Sequence, residues 1–514
     1  MGAQVAGRAG VEGAQARLGT LHAMPTPEST PSSLPRFDFP DGEMETWAVL
    51  GHVSDRSVRV WGRSIGGALP VVVSVEGVEV ATSEITPYAD HDHVGVAEVE
   101  LSSARPGAEF EVRVGDYIRR GRFAPEPGSP TEFSFAFGSC HQPFTEALDD
   151  GSIKRNPGAA IYPRIQALFN ERGVDFAMWL GDQVYSDAVS EMSVREKLSK
   201  DPSVTDEALV ETYRHLYRGF FNERGYRELS EATPSYLMWD DHDIFDGWGS
   251  LIDRSSFDER VYRAAEAAFR EYQQLRNPGG TLQSTPPFGY SFWRGDVGFH
   301  VPDLRGERDF EKGQVMDRGW ALLDAFLAEA TDRGVPTLFI CASVPVVHAS
   351  PALMTALERL PTSSGRDVRD RWSVPTFAAE RTKLLDRLFG WQSALPHRQV
   401  IVLSGDVHVG AAFNVKPRNG EGRFAQWTSS ALSTPDGFKH IVANRMITKF
   451  VRLGERELRV WRRGLATSNN VGVVDVAPAP DGGHVVTLNV FEYDSSDDRM
   501  KLGLTDQASP SQSG

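Results

Sequence analysis

At 514 residues the chain exceeds what one hydrophobic core usually fills, so two structured units are the natural expectation. With 40% hydrophobic and 24% charged residues it is neither disordered nor fibrous in composition, and it offers no run of about 18 to 20 apolar residues to span a membrane. A formal net charge of −16 excludes general nucleic-acid binding. It leaves small phosphorylated substrates open, provided that metal ions supply a local positive field.

The first 43 residues, rich in Gly, Ala, Pro, Ser and Thr at their start, read as a disordered leader. They show neither an apolar signal segment nor an Arg-Arg pair, which leans the expected location to the cytoplasm. Only two cysteines occur, Cys140 and Cys341, and no disulfide framework follows from them.

Residues 44–123 alternate polar and apolar positions in short runs such as Ser57-Val58-Arg59-Val60-Trp61 and Phe110-Glu111-Val112-Arg113-Val114. Turn signals separate these runs at the spacing of a small β-sandwich of the immunoglobulin or fibronectin III kind. Within it, Asp90-His91-Asp92-His93 reads as a solvated loop rather than a metal chelator, and Arg119, Arg120 and Arg122 as edge-strand charges. Residues 124–130, with three prolines and a glycine, read as a linker.

From residue 131 to about 495, apolar runs alternate with amphipathic helices, which predicts an α/β unit with a largely buried sheet. One helix carries Phe257, Val261, Ala265, Phe269 and Tyr272 on one face, with Ser256 and Glu259 at capping-box spacing. Others are expected around Trp320–Ala330 and from about Phe377. Two strands flank Pro480-Asp481-Gly482-Gly483, and residues 496–514 read as a flexible tail.

The chemistry collects where apolar strands end. Phe133–Phe137 runs into Gly138-Ser139-Cys140-His141, and Phe176–Leu180 into Gly181-Asp182-Gln183-Val184-Tyr185-Ser186-Asp187. Tyr236–Trp239 runs into Asp240-Asp241-His242-Asp243, and Val400–Ser404 into Gly405-Asp406-Val407-His408. In open α/β sheets the carboxyl ends of strands form the ligand crevice, so Cys140, Asp182, Tyr185, Asp241, His242, Asp406 and His408 are expected to converge. Buried together, such carboxylates need cations to offset their repulsion. Two ions would do this, with Asp182 between them, and would activate a water for attack at phosphorus. Thiolate and phenolate favour ferric iron; an oxygen-rich neighbour suits calcium, magnesium or manganese.

These ordered motifs resemble those of the alkaline phosphatase D (PhoD-like) family of metallophosphoesterases, from about Trp47 to Gly410. The resemblance implies an N-terminal β-sandwich before a catalytic α/β domain, and hydrolysis of phosphate monoesters or diesters. It implies Fe3+ on Cys140, Asp182, Tyr185 and His408, with Ca2+ on Asp182, Asp241 and Asp406 and with zinc, manganese or magnesium as substitutes. It also implies His242 near the substrate phosphate as proton donor or hydrogen-bond donor, and Asp243 as the group orienting it.

Asp303-Leu304-Arg305 after a strand leaves two readings of Arg305: a phosphate grip, or a bidentate partner of Asp303 that braces the fold. Asp240 reads as a supporting group or a cap, His141 as a neighbour of the site without an assigned task, and His348 as an occasional ligand. Cys341 reads as core. The segments 246–277 and 360–372 are candidate lids. No obligate protein partner is evident. The competing function is a surface-binding or adhesion protein whose phosphatase-like domain has lost its activity.

Overall fold

The computed structural model describes residues 37–148, 150–187, 193–251, 254–348, 369–418, 420–435, 458–480 and 482–510. Most of the predicted leader, much of the segment 360–372 and the last four residues lie outside this set.

Seven strands come first: β1 (Thr46–Val53), β2 (Ser57–Ser64), β3 (Leu69–Val75), β4 (Val78–Ile85), β5 (Val94–Glu100), β6 (Glu109–Val114) and β7 (Tyr117–Arg122). They form two antiparallel sheets, ordered β1-β2-β5 and β4-β3-β6-β7. Alternate residues of both, among them Leu50, Val58, Val60, Val71, Val73, Val112 and Val114, meet in one apolar core. This is the face-to-face packing that period-2 patterning dictates. The first sheet is buried on its other face too. There Trp47, Val49, Trp61 and Val94 join the core of the helical layer beyond.

The larger unit continues with β8 (Phe133–Gly138), β9 (Phe144–Ala147), β10 (Ile153–Arg155), α1 (Ile161–Arg172), β11 (Val174–Leu180), α2 (Val194–Lys200), α3 (Asp206–Phe221), α4 (Arg224–Ala232) and β12 (Ser235–Met238). It goes on through α5 (Ser256–Tyr272), β13 (Tyr290–Arg294), β14 (Val297–Val301), α6 (Gly319–Asp332), β15 (Thr337–Cys341), α7 (Ala378–Ser393) and β16 (Gln399–Ser404). The last strands are β17 (Gly410–Pro417), β18 (Phe424–Thr428), β19 (Leu458–Ala466), β20 (Asn470–Pro478), β21 (His484–Asp494) and β22 (Arg499–Ala508).

Instead of one buried sheet there are two, ordered β12-β11-β8-β20-β21-β22 and β13-β14-β15-β16-β18-β17-β19. Their inner faces share a core of Phe133, Phe135, Phe137, Phe176, Met178, Phe299, Phe339, Cys341, Ile401 and Leu403. The intervening residues point outward. Ala136, Ala177 and Trp179 pack with α1 to α5, while Leu338, Ile340, Val400 and Val402 pack with α6 and α7. A strand covered by a sheet on one face and helices on the other is apolar at every position, which is why the runs do not reveal how many sheets they build. Strands β8, β11 and β12 run parallel, as do β14, β15, β16 and β18. Their carboxyl ends therefore open on one end of each sheet.

Several boundaries differ from the sequence reading. Residues 37–43 are docked: Phe37 and Phe39 are buried, and the Phe37 amide donates to His215 Nε2 at 2.8 Å. The tail is not loose through 496–510, since β22 pairs antiparallel with β21 from Val486 to Asp494. Only alternate residues of β22, Leu504 and Asp506, are buried, so its composition resembled a frayed end. The capping box of α5 is Ser255 with Asp258, one residue earlier than expected.

The Asp90–His93 loop is not solvated throughout. Asp92 is buried between Arg63 of β2, at 3.0 Å, and Arg218 of α3, at 2.8 Å. Arg119 is buried as well and donates to Ala48 O at 2.7 Å, while Arg120 and Arg122 are exposed as expected. The described residues of segment 246–277, a candidate lid, are packed into the fold: Trp248 is buried and stacked on Tyr262 at 4.6 Å, and α5 turns its apolar face into the core.

Candidate metal centre

The loops leaving β8, β11, β12 and β16 are tied together by hydrogen bonds, the Ser186 amide donating to His242 O at 3.1 Å between the second and third. The Cys140 amide donates to Gly181 O at 3.2 Å, the Asp406 amide to Ser139 Oγ at 3.0 Å, and the Gly405 amide to Ser343 O at 2.9 Å. Two glycines make this approach feasible. A Cβ on Gly181, which has φ +93°, would lie 2.6 Å from Asp240 Cβ, and one on Gly405 would lie 2.4 Å from Ser139 Oγ. Eight non-glycine residues among those described have positive φ, and four of them are Cys140, Asp182, Asp406 and His408. Left-handed backbone costs a side-chain-bearing residue about 1–3 kcal/mol and concentrates at functional sites.

Asp182 sits in the middle. Its Oδ2 is 3.3 Å from Cys140 Sγ and 3.4 Å from the Tyr185 hydroxyl, so thiol, phenol and carboxylate converge on one point. Its Oδ1 is buried without a hydrogen-bond partner. Asp182, Asp240, Asp241 and Asp406 each offer an oxygen within 4.8 Å of the others, and Asp182, Asp241 and His242 form a second such group. Burial holds the Asp182 carboxyl well above the ordinary range and pushes Asp241 up to about 7, with neighbouring carboxylates adding to both. Burial also raises the Cys140 thiol and the Tyr185 phenol, each beside the Asp182 charge.

Carboxylates this close ionise together only if cations offset them. Asp182 Oδ1 and Asp240 Oδ2 are buried acceptors without a hydrogen-bond partner, as oxygens that could bind a cation would be. The donor set therefore fits metal ions: sulfur and phenolate oxygen on one side of Asp182, carboxylates on the other.

His408 is part-buried, and its amide donates to Ser430 Oγ at 3.1 Å. The same Ser430 Oγ lies 3.1 Å from Cys140 Sγ. Ser430 follows β18, a fifth strand end that carries no charged residue and so gave no signal in the sequence.

His242 is a quarter exposed, and its ring stacks on Tyr185 at 4.3 Å. Its Nδ1 is 2.7 Å from Asp187 Oδ1. Burial lowers its pKa, but the Asp187 and Asp241 carboxylates outweigh that and hold the ring well above the ordinary histidine value. The expected partner, Asp243, is occupied elsewhere. Its carboxylate accepts from the amides of Asp240 at 2.9 Å and Val184 at 3.1 Å, and from Gln273 Nε2 at 2.8 Å. Asp243 thus ties the loop after β11 to the loop after β12, and Asp187 takes the role of orienting His242.

Arg305 does not bind from the open side. It is fully buried, with Nε on Asp240, Nη1 on Trp248 O at 3.0 Å, and Nη2 2.6 Å from Asp370 Oδ2. Its bidentate partner is Asp370, not Asp303. Asp303 instead accepts from Trp239 Nε1 at 2.8 Å and from the Phe288 and Arg305 amides, each at 2.9 Å. Of the two readings, bracing is the one that the contacts allow. Asp240 joins the carboxylate group rather than capping a segment: Oδ1 accepts from Arg305 and, at 2.7 Å, from Ser343 Oγ.

His141 is core, stacked on Tyr226 at 4.0 Å and bonded to Tyr162 and Phe220 O, with burial lowering its pKa to about 3. His348 has a buried, unpartnered Nδ1 and lies within the field of Arg371, outside the close ligand groups.

Residues 135–321 match the family model described as PhoD-like phosphatase. That span holds Cys140, Asp182, Tyr185, Asp241 and His242, whereas Asp406 joins the carboxylates through the fold and the His408 backbone is linked to Cys140 through Ser430. No curated protein sequence matches the chain. Among solved structures, one titled as the structure of PhoD is 17% identical, with a TM-score of 0.58 over 91% of this chain and 92% of that one. The purple acid phosphatase PPD1 from yellow lupin (Lupinus luteus) seeds is 13% identical, with a TM-score of 0.54 over 90% of this chain and 74% of its own. At these identities the likeness is one of fold: mixed α/β, with the sheets arranged as in two phosphatases. None of the helices in the described residues is long and apolar enough to cross a membrane.

Proposed function

We propose that the protein is a metal-dependent phosphoesterase that hydrolyses phosphate monoesters or diesters. One observation carries this: a thiol, a phenol and a carboxylate group from four strand ends converge around Asp182, with buried acceptor oxygens left open. The PhoD-like match over residues 135–321 supports the same reading. It also weighs against an adhesion protein with a decayed site, which would have lost some of these mutually repelling side chains.

Cys140, Tyr185, His408 and Asp182 would hold one ion, with iron the fitting choice. Asp182, Asp241 and Asp406, with Asp240 beside them, would hold a harder one such as calcium. Bound there, the ions supply Lewis acidity that activates water and neutralises charge on the phosphate. The chain's own residues do the rest. Asp187 accepts from His242 Nδ1 and so presents Nε2 as the proton-bearing atom of a cationic ring. When the P–O bond to the leaving group breaks, that proton passes to the leaving oxygen. Tyr185 beneath the imidazole restricts its tilt.

The test is metal analysis of the purified full-length protein alongside turnover of p-nitrophenyl phosphate and bis-p-nitrophenyl phosphate. Two ions per chain with turnover, both lost in Asp182→Ala while the sandwich stays folded, are expected. Full turnover in Asp182→Ala, or metal-free wild-type protein after reconstitution, would sink the reading.

A further inference from the structure

A phosphate ester enters as an anion, yet the site that must accept it is walled by carboxylates. Cations are therefore needed that the carboxylates have not already consumed. The arginines around the site differ in this respect. Arg305 has no exposed surface and is divided between Asp240, Asp370 and Trp248 O. Arg308 is equally buried; its Nη2 donates to Asp370 O and its plane lies over the Phe377 ring at 4.4 Å. Arg371 has a side chain 16% exposed, and its Nη1 reaches Asp406 Oδ2 at the edge of the carboxylate group.

The backbone around Arg371 is fixed. The preceding Asp370 is gripped through its side chain by Arg305 and through its carbonyl by Arg308. Arg371 O accepts from the Val374 amide at 3.2 Å, and Arg381 donates to Trp372 O. A guanidinium on such a base is pre-placed, so little freedom is lost when it takes a ligand.

Its present partner, Asp406, is also one of the residues expected to hold an ion. Oxygens that serve an ion have less charge to offer a guanidinium, whose planar fork matches two oxygens of a phosphate. We propose that Arg371 is the substrate-binding arginine of the site, gripping the non-bridging oxygens of the phosphoryl group. This rests on the phosphoesterase reading above and supplies the role that Arg305 cannot fill.

The experiment uses full-length, metal-loaded wild type, Arg371→Ala and Arg371→Lys. Inorganic phosphate affinity is measured by titration calorimetry, metal content by elemental analysis, and KM with both nitrophenyl esters. In Arg371→Ala, phosphate affinity should fall about tenfold to a hundredfold, the range for a lost charged hydrogen bond, and KM should rise in parallel at unchanged metal content. Arg371→Lys should recover part of it, as a point charge without the fork. Unchanged phosphate affinity would overturn the proposal. So would metal loss in step with phosphate loss in both variants, since Arg371 would then merely support Asp406. Phosphate binding is read without turnover, so a wild type that binds phosphate through Arg371 but hydrolyses neither ester counts against the hydrolase reading alone.

Discussion

The His242 imidazole and the Asp187 carboxylate lie 2.7 Å apart, Nδ1 to Oδ1, and the other Asp187 oxygen receives the Asp246 amide. This one carboxylate therefore fixes both the ring and the turn that follows it. Asp187→Asn should leave the metals in place and lower kcat by about tenfold to a hundredfold, the usual loss when the group orienting a catalytic histidine is replaced. Steady-state kinetics beside elemental analysis checks it. Unaltered kcat would remove Asp187 from the site.

Asp243, adjacent in sequence to His242, should behave differently. It receives the Asp240 and Val184 amides and Gln273 Nε2 in a fully buried place. Asp243→Ala strands those donors and should cost about 2–4 kcal/mol of folding stability. Urea denaturation should show that loss, whereas Asp187→Asn should show little of it. Equal stability of the two variants would contradict the separate roles.

The contrast between these aspartates marks what a single sequence can yield. Strand ends were legible because a buried apolar run followed by Asp or Cys needs a partner, and Cys140, Asp182, Asp241 and Asp406 do lie at one place. Which neighbour points where was not legible. Asp243 and Asp187 are both near His242 in sequence or motif, and only the turn geometry after β12 sends one to the ring and the other to the backbone. Asp370 and Ser430 were invisible for another reason: each is an ordinary residue 65 or 290 positions from the group it serves. The two-sheet layering escaped because strands buried on both faces carry no alternation to read.

The proposed division of ligands around Asp182 predicts a spectroscopic asymmetry. If ferric iron occupies the side of Cys140 and Tyr185, the loaded protein should carry a visible charge-transfer band. Tyr185→Phe, which removes the hydroxyl 3.4 Å from Asp182 Oδ2, should shift or bleach that band. Asp241→Asn should mainly deplete the second ion. Absorbance and elemental analysis on the two variants check this, and an identical spectrum in Tyr185→Phe would place the iron elsewhere or replace it with a colourless ion.

The ion network that joins the sandwich to the helical layer predicts the acid limit of the fold. Arg218 bridges Asp92 at 2.8 Å and Glu211 at 2.7 Å and also bonds Glu43, while Arg63 holds Asp92 at 3.0 Å. Burial raises the Glu43 pKa, but hydrogen bonds from His215 and Arg218 outweigh it and bring the value down to about 2; Asp92 is lowered in the same way by Arg63 and Arg218. A carboxyl whose folded pKa is depressed contributes stability that is complete above its unfolded value and is lost as pH falls toward its folded one. Stability should therefore decline from about pH 4.5 downward, steeply toward pH 2. Asp92→Ala leaves two buried guanidinium groups without their shared anion and should cost about 3–5 kcal/mol at neutral pH, with a flatter acid limb. Urea midpoints measured from pH 7 to pH 3 check both, and an acid profile unchanged by Asp92→Ala would show that the network does not set the limit.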